Sequence, residues 1–399
     1  MSKVTLRKLS LALGFVVATL SPIGCKNGQT ATNATTGNTI LVGEYGSLTG
    51  PQASFGISTN DAIQLATDQI NAKGGIKGKK VIVKVEDDMG QPAQASTDVN
   101  RLIDDGAIAI LGEVASSCSL AGGRVCQQRH IPMISPSSTN TAVTELGDYI
   151  FRVCFIDPFQ AAVVARFAHD GLHATRVAIF TNKDQAYSTG FSDNFKKAFT
   201  AMGGQIVIEK SYSGNDSDFR GALTAIKQAN PQAILIPGYY NDAGSIARQA
   251  RALGITCPLL GGDGWDSQDL FKTGGSAVNG CYFSDHLSID DPSPRVQAFV
   301  RAFEAKYHHK PDALAALGYD AANLLFNAME RAPSLKPEDI RNAIASTKDF
   351  PGVTGNITIN AQRNADKPAV IIKVDNGKFR LAATITNPYA PLPPGSVKL

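Results

Sequence analysis

From Thr39 onward, short apolar runs alternate with longer stretches in which apolar residues recur every three or four positions. The first pattern reads as buried strand and the second as amphipathic helix. ILVGEY from Ile40 is such a strand. A helix is expected over about Ile57–Asn71, stopped by the glycine-rich NAKGGIKGKK from Asn71. The strand VIVKVEDD from Val81, a helix over about Ala93–Asp104 and the strand AIAILG from Ala107 continue the alternation, followed by a helix after Ser116 and the strand IPMISP from Ile131. A repeating βα rhythm predicts an α/β fold with a doubly wound parallel sheet, helices on both faces.

The rhythm restarts after FRVCFIDP from Phe151. VAIFTN from Val177 precedes a helix with Phe191, Phe195, Phe199 and Met202 on one face. QIVIEKSY from Gln205 leads to a helix carrying Phe219, Leu223 and Ile226. AILIPGYY from Ala233, a helix to Leu253, PLLGGDGW from Pro258 and GCYFSDH from Gly280 complete a second α/β unit. The last third differs: helices near Pro294–Tyr307, Leu314–Glu330 and Pro337–Ser346 come in succession, then strands ITIN from Ile357, AVIIKVD from Ala369 and KFRLAATI from Lys378. Two units suit a chain of 399 residues, which is long for one core.

The N-terminus changes the compartment. Lys3, Arg7 and Lys8 precede the apolar run Leu9–Leu20, the layout of an export signal. The run ends in Ser21-Pro22-Ile23-Gly24-Cys25, which resembles a bacterial lipobox except for the proline, and makes Cys25 the expected lipidation site. Residues 1–24 are read as signal peptide and 25–38, small and polar, as a flexible tether. Without the leader, basic and acidic side chains balance at 35 each, so no electrostatic footprint for nucleic acid remains. An exported chain permits disulfides. Five cysteines besides Cys25 leave at least one free, and Cys257 with Cys281, each opening a strand-like run, form a possible pair.

Enzyme motifs are missing. GGIKGK from Gly74 is one residue short of a phosphate loop and runs from helix to strand, so it reads as a turn. His169 and His173 have metal-like spacing but are separated by Gly171, with no cysteine or carboxylate cluster to complete a site. No catalytic residue, metal or cofactor is expected. The informative residues sit where strands end, the place where open α/β sheets bind ligands. Ser116 or Ser117 is placed at a helix N-cap, where hydroxyl and backbone N–H groups either cap the helix or hold a carboxylate. Ser135, Ser137, Ser138 and Thr139 form a second donor cluster. In the second unit, strand ends carry Tyr187, Tyr239-Tyr240 and Asp263, which either caps a helix near Ser267 or pairs with a ligand ammonium. Donors on one side, with aromatics and a carboxylate on the other, complement a zwitterion.

GEYGSLTGPQASFG from Gly43, INAKGGIKGKK from Ile70, ISPSST from Ile134, FRVCFIDPFQ from Phe151 and GYYNDAGSIARQARALG from Gly238 resemble the leucine/isoleucine/valine-binding proteins, the solute-binding components of branched-chain amino acid ABC importers. The resemblance implies a type I periplasmic binding fold, two lobes joined by a three-crossover hinge. By position the crossings fall near Ile156, Asp285 and Asp366. Lobe 1 is then 39–156 with 286–366, lobe 2 is 157–285 with 367–390, and 391–399 is a C-terminal tail.

The resemblance further implies that Ser116 and Thr139 bind a ligand carboxylate with help near Ser137, and that Tyr187 and Tyr239 close from lobe 2. Asp263 replaces the glutamate that commonly takes the ammonium, and Phe55 lines the side-chain wall. Gly90 and Ala115 stand where some members have a disulfide, and Glu113 adds a carboxylate that faces either the crevice or the hinge and solvent. The expected partners are a small amino-acid ligand and membrane permease and ATPase subunits, with a monomeric protein held at the membrane by its lipid. Binding of amides, urea or another polar solute, and a sensor role, are the alternatives.

Overall fold

The computed structural model describes residues 37–399. The export signal, Cys25 and most of the tether lie outside them. Two sheets organise the chain. The first contains β1 (Thr39–Gly46), β2 (Lys80–Asp87), β3 (Ile110–Leu111), β4 (Met133–Ser135) and β5 (Ile150–Arg152) in the order β2-β1-β3-β4-β5. All its pairings are parallel. Its connections are α1 (Ala53–Ala72), α2 (Pro92–Asp104), α3 (Ser116–Arg129) and the single turn α4 (Ala142–Glu145).

After β5 the chain enters α5 (Asp157–Arg166) and builds the second sheet from β6 (Arg176–Asn182), β7 (Gln205–Tyr212), β8 (Ala233–Leu235), β9 (Leu259–Gly261) and β10 (Tyr282–Asp285). The helices α6 (Ala186–Ala201), α7 (Arg220–Gln228), α8 (Tyr240–Ala252) and α9 (Asp269–Gly274) alternate with them. The phenylalanines at one-turn spacing on α6, Phe191, Phe195 and Phe199, are wholly buried. Truncating such a side chain to alanine costs about 3–5 kcal/mol.

The chain then returns. α10 (Pro294–Tyr307), α11 (Ala313–Arg331) and α12 (Pro337–Ala345) follow β10, and α11 packs along α1 of the first sheet. A small hairpin, β11 (Phe350–Gly352) and β12 (Gly355–Ile357), replaces the expected strand ITIN. A last passage delivers β13 (Ala369–Asp375) and β14 (Lys378–Ile385) to the second sheet, whose order is β14-β13-β10-β9-β8-β6-β7.

These two strands run antiparallel to their neighbours, so the second sheet is mixed rather than wholly parallel. Their hairpin turns at Asn376-Gly377, both with positive φ, the conformation a tight turn with right-handed strand twist demands. The passages lie together: Arg363 accepts at its carbonyl from the Arg152 amide at 3.2 Å, and Lys367 Nζ donates to Val153 O at 3.1 Å.

Cys257 and Cys281, the possible disulfide, are both free. The Arg251 guanidinium lies against both residues, Nη1 donating to Cys257 O at 2.8 Å and Nη2 to Cys281 Sγ at 3.7 Å. Among the described residues no helix is long and apolar enough to cross a membrane.

Candidate functional site

The site lies where strand ends of the two sheets face each other. On the first side, β3 runs through Gly112–Ala115 into α3. The N-cap is Ala115, not Ser116 or Ser117 as expected, and no side chain caps the helix. Ser116 is therefore its first residue, and the amides of Cys118 and Ser119 already bond Ala115 O. The Ser116 and Ser117 amides remain at the positive end of the helix, where an anion is favoured.

The loop after β4 is braced from beneath. Ser138 Oγ donates to Glu113 O and Val114 O, each at 3.0 Å, and Ser135 Oγ donates to Glu113 O at 2.7 Å. The buried Arg152 guanidinium donates to the carbonyls of Ser138 and Asn140. One hydroxyl of this loop that lines the cleft, Ser137 Oγ, is buried without any hydrogen-bond partner. Buried polar groups are nearly always paired in native proteins, so this orphaned hydroxyl marks a place where a ligand supplies the acceptor.

On the second side, Tyr187 is the second residue of α6 and Tyr239 is the N-cap of α8. Their rings stack with centroids 5.4 Å apart and planes within 5°. Phe55 on α1 meets Tyr239 and Tyr240 edge-on at 5.7 and 4.9 Å, so α1 contributes an aromatic wall across the gap. Asp263 opens a short 3-10 turn and does not cap α9, whose N-cap is Gln268. Its carboxylate accepts from Gln160 Nε2 at 2.7 Å and meets His286 Nε2 at 3.1 Å. Burial beside Asp263 holds the Tyr187 phenol well above its ordinary value, so it stays a neutral hydroxyl.

These groups close around one cleft. Ser116, Ser137 and Asp263 supply its polar wall, and Phe55, Tyr187 and Tyr239 its aromatic one. Thr139 is buried close by but is not part of the lining. The two sides are latched around it: Asn140 Nδ2 donates to Ala186 O at 2.7 Å, the Ala186 amide to Ser117 Oγ at 3.2 Å, and the Ala313 amide to Asp266 Oδ2 at 2.7 Å. Tyr240 OH donates to Pro51 O at 2.9 Å on the opposite rim.

The sequence matches the periplasmic binding protein family over residues 39–378. The chain belongs to that family. A Leu/Ile/Val-binding protein of Rhizobium johnstonii, BraC3, is 31% identical over 321 residues, covering 80% of this chain and 87% of its own. The leucine-binding protein LivK of Thermotoga maritima superposes with a TM-score of 0.84 at 38% identity, covering 87% and 98% of the two chains. The branched-chain amino acid binding protein LivJ of Streptococcus pneumoniae, solved with isoleucine, gives 0.82 at 33% identity and covers 87% and 99%.

For this periplasmic binding protein, six of the seven residues singled out from sequence line one cleft and Thr139 lies behind it, but the cleft also contains groups that the sequence did not flag. Val114 and Leu314 complete the apolar wall. Behind it Asp157, at the start of α5, is fully buried beside Thr139; burial raises its carboxyl to about 7, against the opposing effect of the Thr139 hydroxyl.

Glu113 faces neither crevice nor solvent. It is buried within the first lobe, where Oε1 accepts from Ser47 N at 3.2 Å and Ser47 Oγ at 3.1 Å, and Oε2 accepts from Ala115 N. Ser47 Oγ also reaches Asp88 Oδ1 at 3.1 Å, which accepts from Gly90 N at 2.9 Å. Burial, with Asp88 adding to it, pushes the Glu113 carboxyl well above its ordinary range.

Proposed function

We propose that this protein is the extracytoplasmic solute-binding component of an ABC importer, and that its solute is a small aliphatic α-amino acid of the branched-chain class. The observation that carries the reading is the polarity of the cleft. The orphaned Ser137 hydroxyl and a helix N-terminus stand at one end, a doubly hydrogen-bonded carboxylate at the other, and apolar groups between them. An α-carboxylate matches the first end and an α-ammonium the second. Phe55, Val114, Tyr239 and Leu314 then receive the aliphatic side chain. Lobe 1 (39–156 and 286–366) presents the carboxylate donors. Lobe 2 (157–285 and 367–390) brings Tyr187, Tyr239 and Asp263 by hinge closure. Cys25 carries the lipid anchor, and a permease with its ATPase reads the closed monomer.

The test is calorimetric titration of the mature protein with L-leucine, L-isoleucine, L-valine and L-alanine, alongside two truncated analogues. Leucinamide lacks the carboxylate and 4-methylpentanoate lacks the ammonium. The expected result is a micromolar or tighter constant for at least one amino acid, about 8 kcal/mol or more. Both analogues should bind at least a hundredfold more weakly. Equal affinity for leucinamide or 4-methylpentanoate would refute the zwitterion assignment and favour a neutral amide or a simple acid as solute.

A further inference from the structure

The carboxylate of Asp263 is gripped by two residues that lie far from it in sequence. Gln160 on α5 holds it with both ends of its amide: Nε2 donates to Oδ1 at 2.7 Å and Oε1 accepts from the Asp263 amide at 3.4 Å. The second partner, His286, immediately follows β10 in the passage back toward α10. Its ring is wholly buried and stacks on Phe155, with centroids 3.7 Å apart and planes within 22°. Phe155 belongs to the first passage between the sheets, just before α5. The imidazole is thus wedged between two of the segments that must bend when the lobes open.

Its protonation state follows from its surroundings. Nε2 faces Asp263 Oδ2 at 3.1 Å, whereas Nδ1 is buried with no partner. A neutral imidazole has one N–H, and placing it on Nε2 leaves only a lone pair at the unpartnered Nδ1. An imidazolium would leave a buried N–H unsatisfied, which costs more. The ionisable groups around it are Asp263 on the 3-10 turn, Asp285 on its own strand, whose Oδ1 accepts from the His286 amide at 2.7 Å, and Lys367 on the third passage. Asp157 on α5 acts on Asp263 from the other side. Burial holds the His286 imidazole below its ordinary value, Asp263 opposes that, and Lys367 adds to it.

We propose that His286 is a positioning residue for the ligand cation: as a neutral donor it fixes the Asp263 carboxylate toward the ammonium and ties it to the hinge. Protonating it makes the protein compete with its own ligand. The inference rests on the amino-acid reading of the cleft. With a neutral imidazole, Asp263 keeps its full negative charge for the ligand. With an imidazolium the pair is neutral, and the incoming ammonium meets a like charge. Linkage is reciprocal, so bound ligand lowers the proton affinity of His286 and acid lowers the affinity for ligand. Because the ring also bears on Phe155 and the strand end of β10, loss of the contact loosens the carboxylate and the bending segment together.

The experiment compares three forms of the mature protein by calorimetry with L-leucine, or the amino acid of the panel that binds best, from about pH 8 to about pH 5. His286→Gln keeps a neutral N–H donor that cannot titrate, and His286→Phe keeps the stack but removes the donor. Wild type should lose at least tenfold in affinity on acidification. The glutamine variant should stay within about threefold of wild type at neutral pH and flatten the acid limb, a change of less than about 0.7 kcal/mol. Asp157 contributes equally to both profiles, so their difference isolates the imidazole. The phenylalanine variant should bind at least tenfold more weakly at neutral pH, with an unchanged melting temperature in the absence of ligand.

Superimposable pH profiles for wild type and His286→Gln overturn the proposal, as does wild-type affinity in His286→Phe. If no amino acid binds wild type at any pH, the functional reading fails separately. A ligand-free arm still tests the pairing: the His286 ring, followed by NMR, should titrate at lower pH in Asp263→Asn than in wild type. An unmoved midpoint overturns the contact itself.

Discussion

Tyr187 and Gly262 stand so close that a Cβ on the glycine would lie 2.4 Å from the tyrosine hydroxyl. The same Cβ would meet Phe191 Cε1 at 2.3 Å. Only a residue without a side chain lets the loop after β9 run beneath the ring that covers the cleft. Gly262→Ala should displace Tyr187 and break its stack on Tyr239. Overpacking of this kind costs about 1–3 kcal/mol. The expected outcome is a lower melting temperature together with at least tenfold weaker amino-acid binding. A variant with wild-type affinity would show that Tyr187 does not cover the ligand.

Closure can be weakened without touching the cavity. Gly190 on α6 leaves room for Asn140, whose Nδ2 would be 2.6 Å from an added Cβ and which latches Ala186 O across the gap. Gly190→Ala should bias the protein toward the open form. Small-angle scattering should then show less compaction on adding ligand, and affinity should drop about tenfold, roughly 1.4 kcal/mol. The ligand-free protein should melt near the wild-type temperature, because the contact exists only between lobes.

Removing the ligand's charge partner is the most severe change. Asp263→Ala leaves Gln160 and His286 without their acceptor and the ammonium without a counter-charge. Loss of one member of a buried charged pair costs about 2–5 kcal/mol. Binding of L-leucine should disappear from calorimetry while the circular dichroism spectrum is retained. Affinity equal to wild type would mean that the cation is taken elsewhere.

Stability should fall as pH rises through neutrality. Asp266 is raised by burial, from an ordinary value of 3.8 to about 8, with Asp312 adding to the effect. Asp157 is raised to about 7. For a group whose folded value lies above its unfolded one, the contribution is complete below the unfolded value and is lost as pH climbs to the folded one. The melting temperature should therefore decline from about pH 5 to about pH 8. The Asp266 carboxyl faces that of Asp285, so Asp266→Asn, which supplies an N–H there without needing a proton, should flatten the decline. A melting temperature that rises across that interval in wild type would contradict the burial of these carboxyls as acids.

Much of the architecture was legible because its signals are local. β7, β13 and β14 begin and end where their apolar runs do, between glycine and Asn-Gly turns. β3 is shorter than AIAILG suggests, since only Ile110 and Leu111 pair fully, although the Ile108 amide still bonds Leu41 O. The cleft residues at strand ends and the α1 wall could be found in the same way: Ser116, Ser137, Tyr187, Tyr239, Asp263 and Phe55 all line one cavity. Residues acting through other residues could not. Gln160 and His286 meet Asp263 across 103 and 23 positions, and nothing in FIDPFQ or SDHLS announces that meeting. Leu314 sits in a helix so apolar that its pattern says only that it is buried. Glu113 was ambiguous because its partners, Ser47 and Asp88, come from two other strand ends.

That last network bears on where the protein can be made. Gly90 lies in the loop after β2 and Ala115 in the loop after β3. Here the two loops are joined through Asp88, Ser47 and Glu113. All five cysteines among the described residues are free thiols. The binding lobes therefore reach their final form without an oxidant or a disulfide isomerase. A leaderless version produced in a reducing cytosol should fold to the same unlinked lobes as the exported one, lacking only its lipid, and be as indifferent to added reductant.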